Sequence, residues 1–179
     1  MAGLFAPALV FAYGNPSRGD DALGPEFARW LATEDTSGQG FSGVELLTDF
    51  QLQLEHTLDM LGRRLVLFVD ASASGPDPYA FFPVQAERDF GYTSHALAPA
   101  TLLAVFQGVH AEAPPPSFVL AIRGYGFELG EPLSAQARSN LEAAKQFAER
   151  LLTDPDPLRW SDLCGEAPKA QGRFGVAAG

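Results

Sequence analysis

Six consecutive apolar or aromatic residues, Ala8 to Tyr13, run directly into the segment GNPSRGDDALGPE, Gly14 to Glu26. A run with no polar interruption is what a strand covered on both faces looks like. Pro25 then suits the first turn of a helix, where its missing N–H costs nothing. The unit is therefore strand, glycine-rich loop, helix. Loops of that kind usually cradle phosphate on backbone N–H groups and a helix N-terminus. Here Asp20 and Asp21 bring two negative charges of their own, and the GxGxxG and GxxxxGK[ST] spacings are absent. The loop favours a cation, or acid–base chemistry, over a phosphate.

The rest of the chain alternates in the same way. The pattern predicts a strand at Leu9–Tyr13, a helix over Phe27–Ala32, a loop from Thr36 to Gly43 and a strand at Val44–Leu47. In DFQLQLEHTLDMLG, Asp49 can cap, Leu54, Leu58 and Leu61 make a helical stripe, and Gly62 can end the helix. Leu65–Val69 reads as a strand closed by Asp70, and Ala80–Val84 as an edge strand because of Pro83. A loop over Thr93–Ala98 holds His95. A helix over Pro99–Gln107, a Pro-rich linker over Glu112–Ser117 and a strand at Phe118–Ile122 follow. Ser134 caps a helix to Leu152 with Ala137, Leu141, Ala144, Ala148 and Leu151 on one face. From Thr153 the chain turns rich in Pro, Gly and Ala and is expected to be a loose tail, leaving residues 1–152 as a single domain.

Alternating strands and helices imply an α/β fold in three layers, a mostly parallel sheet with helices on both faces. Ligands in such folds bind beyond the carboxyl ends of the strands. That edge is where Asp20, Asp21 and Asp70 fall. Composition narrows the ligand further. With 22 acidic against 12 basic residues the net charge is −10, which disfavours nucleic acid and anionic membranes as partners. Cys164 is the only cysteine, so an intrachain disulfide and a cysteine-built zinc site are both excluded. No apolar run reaches transmembrane length, and the first residues lack a basic segment ahead of an apolar one. A cytoplasmic protein is the expectation.

Asp21, Asp70 and His95 are the candidates for chemistry. Two carboxylates and an imidazole form an O,O,N set suited to a borderline divalent ion such as nickel or zinc. Each has a plainer reading as well. A carboxylate ahead of a helix can be a cap, Asp70 can begin a turn with Ser72 and Ser74, and a loop histidine can simply be solvated. His56 and His110 read as structural. The Cys164 thiol has no histidine near it in sequence to activate it.

Four ordered segments carry a resemblance: GNPSRGDDALGPE, LVLFVDAS around Asp70, TSHALAPATLLA around His95, and AIRGYGFELGEPLS from Ala121 to Ser134. Together, over residues 8 to 152, they resemble the maturation endopeptidases of [NiFe]-hydrogenases. The resemblance implies a twisted sheet between helices and an enzyme that trims a C-terminal extension from a hydrogenase large-subunit precursor after nickel insertion. It places the metal contacts on Asp21, Asp70 and His95, with the nickel carried by the substrate and no organic cofactor. Gly14, Asn15, Asp20, Asp49 and Gln51 become residues that support the site or touch substrate. Asp20 is expected to hold the loop while Asp21 faces the substrate.

Two departures stand out. Several relatives have Glu where this chain has Asp21. Many carry a Gly-Gly-Thr turn where this chain has Asp49-Phe50-Gln51-Leu52; the DFQLQLEH pattern resembles the branch serving cytoplasmic NAD-linked hydrogenases. Gln51 could offer its amide to the substrate peptide or be an ordinary first-turn residue. Hydrolysis could use the metal to polarise the carbonyl or activate water, or Asp20 or Asp21 as a general base. A nickel-dependent docking module without catalysis is the alternative, and a metal-dependent phosphohydrolase a further one that lacks any DxD spacing.

Overall fold

The computed structural model describes residues 7–34, 40–87 and 97–164. Five strands form one sheet: β1 Ala8–Tyr13, β2 Val44–Asp49, β3 Leu65–Ser72, β4 Tyr79–Val84 and β5 Ser117–Arg123, in the order β2-β1-β3-β5-β4. The first four strands in that order are parallel, and β4 closes the far edge antiparallel to β5. Pro83 lies in this edge strand, where its lack of a donor does least harm.

The sheet separates two cores because side chains alternate along each strand. Ala8, Val10, Ala12, Leu67, Val69 and Leu120 pack beneath α1 (Leu23–Glu34), α3 (Ala135–Thr153) and α4 (Pro157–Leu163). Leu9, Phe11, Tyr13, Val66, Phe68 and Val119 pack beneath α2 (Pro99–His110). This is the three-layer α/β arrangement that the sequence pattern implies. α1 sits hard against β1: a Cβ on Gly24 would lie 2.0 Å from the Tyr13 carbonyl oxygen. Only glycine permits that approach, and it fixes where the loop before α1 must run. α2 feeds the amino end of β5, so its own first residues stand at the carboxyl ends of the parallel strands.

Three expectations change. Asp70 does not close β3; the strand continues to Ser72, with Asp70, Ala71 and Ser72 paired to Ala121, Ile122 and Arg123. An interior carboxylate reads in sequence as a terminator, but here β5 runs on beside it to Arg123 after the pairing with β1 has ended at Val69. The segment after β2 is not a helix with a leucine stripe. Only one 3-10 turn forms, Leu54–Thr57, and Leu54 and Leu58 are 55% and 63% exposed. Leu52, Thr57 and Met60 are the residues that enter the core. Side chains divert the backbone here: the Gln53 N–H donates to His56 Nδ1 at 2.8 Å instead of continuing a helical ladder.

The third change concerns the tail. Past Leu152, α4 folds back onto the sheet, capped by Asp156, which accepts the N–H groups of Leu158 and Arg159, both at 3.0 Å. Trp160 is fully buried against Phe81 and Phe118, and its indole N–H donates to the Leu151 carbonyl at 3.0 Å. Residues 165–179 lie outside the described residues. Among those described, no helix is long and apolar enough to cross a membrane. Trp160→Ala should cost about 3–5 kcal/mol, the usual range for deleting a buried aromatic. Thermal unfolding would show it as a fall in Tm, whereas a dispensable tail would show none.

Candidate active site

Parallel register assembles the site. Ala12 pairs with Val69 and Tyr13 with Asp49, so Asp49, Tyr13 and Asp70 form one row across β2, β1 and β3. All three share the α2 face of the sheet. The Tyr13 hydroxyl donates to the Asp70 carboxylate, and the Ala71 N–H donates to Asp70 Oδ1 at 2.8 Å. Asp21 approaches from the loop above, on a 3-10 turn over Gly19–Ala22. The Asn15 N–H donates to Asp21 Oδ2 at 2.7 Å. Gly14 makes room for this: its φ is +149°, and a Cβ there would stand 2.2 Å from the Asp21 carbonyl oxygen.

Two carboxylates therefore face each other with little to neutralise them. Burial, and then the charge of Asp21, push the Asp70 carboxyl up to about 7, against the smaller opposing effects of the Ala71 N–H and the Tyr13 hydroxyl. Burial also raises Asp21, offset in part by the Asn15 N–H and the charge of Arg18. Tyr13 is pushed well above its ordinary value by burial first and by Asp70 second. A cation held between the carboxylates would relieve this repulsion, and a proton relieves it less well.

Asp20 has the opposite character. It is fully buried, and its carboxylate accepts four hydrogen bonds: from the N–H groups of Tyr125 (2.7 Å), Gly126 (3.1 Å) and Ser134 (2.7 Å), and from the Ser134 hydroxyl (2.8 Å). Burial alone would raise its carboxyl, but these donors outweigh it and hold it below the ordinary range. Asp20 is thus no candidate for a general base. It holds the loop as expected, though its donors come from the β5–α3 connection and not from the helix beside it.

No family model and no curated protein matches this chain. Solved structures do. A [NiFe] hydrogenase maturation protease, HycI from Thermococcus kodakarensis KOD1, superposes with a TM-score of 0.62 at 18% identity, covering 83% of this chain and 94% of its own. The hydrogenase maturating endopeptidase HybD from E. coli gives 0.59 at 19%, covering 80% and 91%. HybD from Thermococcus kodakarensis, a [NiFe] hydrogenase maturation protease, gives 0.59 at 20%, covering 81% and 98%. This chain has the fold of the hydrogenase maturation proteases.

Within that fold the structure brings Asp21 and Asp70 together. His95 lies outside the described residues; the start of α2, just beyond it in sequence, stands on the Asp70 face at the carboxyl ends of the strands. Among the described residues, no three His, Cys, Asp or Glu side chains gather as a ligand set. Gln51 is exposed at the rim. Two contributors escaped sequence reasoning. Tyr13 reads as the last apolar residue of a strand, and only the register shows it bonded to Asp70. His56, read as structural and without partners, has its Nε2 3.3 Å from Asp49 Oδ2 and its ring 4.5 Å from Phe11. Its Nδ1 accepts the Gln53 N–H, which leaves the ring proton on Nε2, the nitrogen on the Asp49 side. The DxxxxxxH spacing of Asp49 and His56 was the available signal. His110 packs its ring at a tilt against Phe106, centroids 4.7 Å apart, at the other end of α2. Cys164 donates to the Trp160 carbonyl, and burial raises its thiol, the reverse of an activated nucleophile.

Because Asp70 binds a proton more tightly folded than unfolded, stability falls as pH rises from about 4, the unfolded value, to about 7. The slope contributed is at most about 1.4 kcal/mol per pH unit. Asp70→Asn should remove it. Melting curves of the two proteins should coincide near pH 4, separate through pH 7 with the variant the more stable, and then run parallel. Asp20→Asn should act in the other direction. An amide nitrogen facing four donors should cost about 3 kcal/mol, the upper range for buried bonds to a charged acceptor, seen as a lower denaturation midpoint in urea.

Proposed function

We propose that this chain is an endopeptidase that removes a C-terminal extension from a [NiFe]-hydrogenase large-subunit precursor after nickel insertion. One observation carries the reading: Asp21 and Asp70 oppose each other, under-neutralised, at the ligand-binding edge of a sheet folded like the named maturation proteases. Nickel here is the substrate's cargo and not a resident cofactor. The carboxylates of Asp21 and Asp70, with the imidazole of His95, hold the nickel that the precursor presents. A set of two oxygens and one nitrogen without a thiolate is sparse, so the precursor's own ligands complete the shell. Tyr13 orients Asp70 by bonding one side of its carboxylate. The processing takes place in the cytoplasm.

A second reading of the chemistry has its own support. A carboxyl near 7 is suited to accept a proton from water at neutral pH. Asp70, and neither member of the Asp20–Asp21 pair, is then the base of an aspartic-type hydrolysis. Both readings make Asp70 indispensable and differ over the metal.

The deciding experiment incubates the purified protein, stripped with a chelator, with nickel-loaded and with metal-free folded precursor. Mass spectrometry should show loss of a C-terminal peptide from the loaded precursor only. Cleavage of both would favour the aspartic-type route. A stable complex without cleavage would indicate a docking module, and phosphate release from simple phosphoesters a phosphohydrolase. Asp21→Ala and Asp70→Ala should each slow cleavage by more than about 100-fold, beyond the range typical of residues that only support a ligand, with the circular dichroism spectrum retained.

A further inference from the structure

Among the described residues β2 is an edge strand, and no strand pairs with its outer side. Its inner side is fixed by two bonds: Ala8 N–H to the Gly43 carbonyl at 3.0 Å, and Gly14 N–H to the Asp49 carbonyl at 3.2 Å. In an extended strand the N–H and C=O of one residue point the same way, and successive residues alternate. With Gly43 and Asp49 turned toward β1, Glu45 and Leu47 face inward as well. Leu46 and Thr48 face outward. Val44 agrees with this phase, since its N–H goes to the Phe41 carbonyl at 3.2 Å and not to β1.

These outward groups open into a groove of about 730 Å³ between β2 and α1. Leu46 and Thr48 line it from the sheet, Ala28 and Ala32 from the helix. Gly14 and Asp49 stand at its upper end, the first beside the Asp21 loop and the second in the row of Tyr13 and Asp70. Phe50, 65% exposed, overhangs that end. The backbone that carries Phe50 is held: its N–H donates to Asp49 Oδ1 at 2.6 Å, while Asp49 Oδ2 meets His56 and the Gln53 amide.

What completes a row of outward N–H and C=O groups is another extended backbone. Neighbouring strands lie about 4.8 Å apart, so Asp70, two strands in from β2, is about 15 Å from a strand added outside it. Roughly four or five extended residues bridge that distance. Resting on the protease reading above, we propose that the C-terminal extension of the protein substrate binds as an added strand on the outer edge of β2. It takes hydrogen bonds from and to the main chain of Leu46 and Thr48, with an apolar side chain against Phe50, Ala28 and Ala32. Its scissile bond lies over Asp21 and Asp70. The extension leads C-terminally away from that bond, so it runs antiparallel to β2 and down the groove. There it passes Arg29, an exposed guanidinium paired on the surface with Glu26 at 2.9 Å, which suits the terminal carboxylate of such a peptide.

Thr48→Pro tests this. Proline removes the outward N–H of that residue and leaves the ladder to β1 intact, a placement that edge strands tolerate. Thr48→Val keeps the backbone donor. With nickel-loaded precursor, Thr48→Pro should raise KM at least about tenfold, the worth of one good hydrogen bond, while Thr48→Val stays near wild type. A folded Thr48→Pro protein with wild-type KM overturns the proposal. A second measurement does not depend on that variant folding. Amide hydrogen exchange of the wild-type protein, with and without a synthetic peptide of the extension sequence, should slow at Leu46 and Thr48 and change little at Glu45 and Leu47. Protection of Leu46 and Thr48 already present without peptide, or protection by peptide only elsewhere, overturns it. Exchange does not require cleavage, so wild-type protein that leaves the loaded precursor intact defeats the protease reading separately.

Discussion

A single buried carboxylate, Asp20, holds the upper edge of the molecule together. Its four hydrogen bonds reach Tyr125, Gly126 and Ser134, all in the connection between β5 and α3. Main-chain bonds run alongside, from Gly19 N–H to the Glu131 carbonyl, Asp20 N–H to the Gly126 carbonyl and Gly130 N–H to the Ser17 carbonyl. The desolvation of a lone carboxylate is severe unless every lone pair finds a donor. Asp20 meets that condition, and the loop it belongs to is therefore fixed relative to two distant segments at once. Ser134 serves twice, as a donor to Asp20 and as the cap of α3, whose Ala137 N–H it accepts at 3.2 Å. The start of α3 and the start of α1 are thereby set by one charge.

Fixing Asp20 is what allows its neighbour to be unsatisfied. Asp21 has a donor from Asn15 and the partial help of Arg18, yet it faces Asp70 across the sheet edge and both are raised. In a mobile loop the two carboxylates would separate into water. Here Gly14 and Gly24 pin both ends of the loop by backbone contacts that no side chain could share, so the repulsion persists. Stability given up at one pair of residues is recovered next door, a common relation between a site and its scaffold. The direction of the two shifts tells the adjacent aspartates apart: donors lower Asp20, and burial raises Asp21.

The layered α/β fold was legible because its signals are long and regular: apolar runs for β1, β3 and β5, and a capped apolar face for α3. Pro83 announced an edge strand correctly. Failures came where side chains override local pattern. The leucines at 54 and 58 have helical spacing, but Asp49, Gln53 and His56 tie the backbone into a single turn and turn both leucines outward. Pro and Gly after Thr153 hid a short helix whose existence depends on one tryptophan finding a place beneath β4 and β5. At the site, Asp20 and Asp21 are indistinguishable as letters, and their separate roles follow from which faces the β5–α3 connection. Tyr13 could not be read at all without the register that sets it beside Asp70.

The two edges of the sheet are treated differently, and the difference has a physical sense. Open edges invite unwanted pairing, so proteins usually blunt them. The β4 edge carries Pro83, and α3 and α4 contact that strand. The β2 edge keeps Leu46 and Thr48 with their main chain turned outward beside a groove of small residues, and the Asp49–His56 tie holds an exposed phenylalanine at its end. The cost of retaining such an edge is a standing risk of misassociation, tempered by a net charge of −10 that keeps like copies apart. An edge that no described strand covers, where β2 leads straight to two charged residues, is better explained by a peptide that must arrive there than by packing, because packing alone would favour closing it.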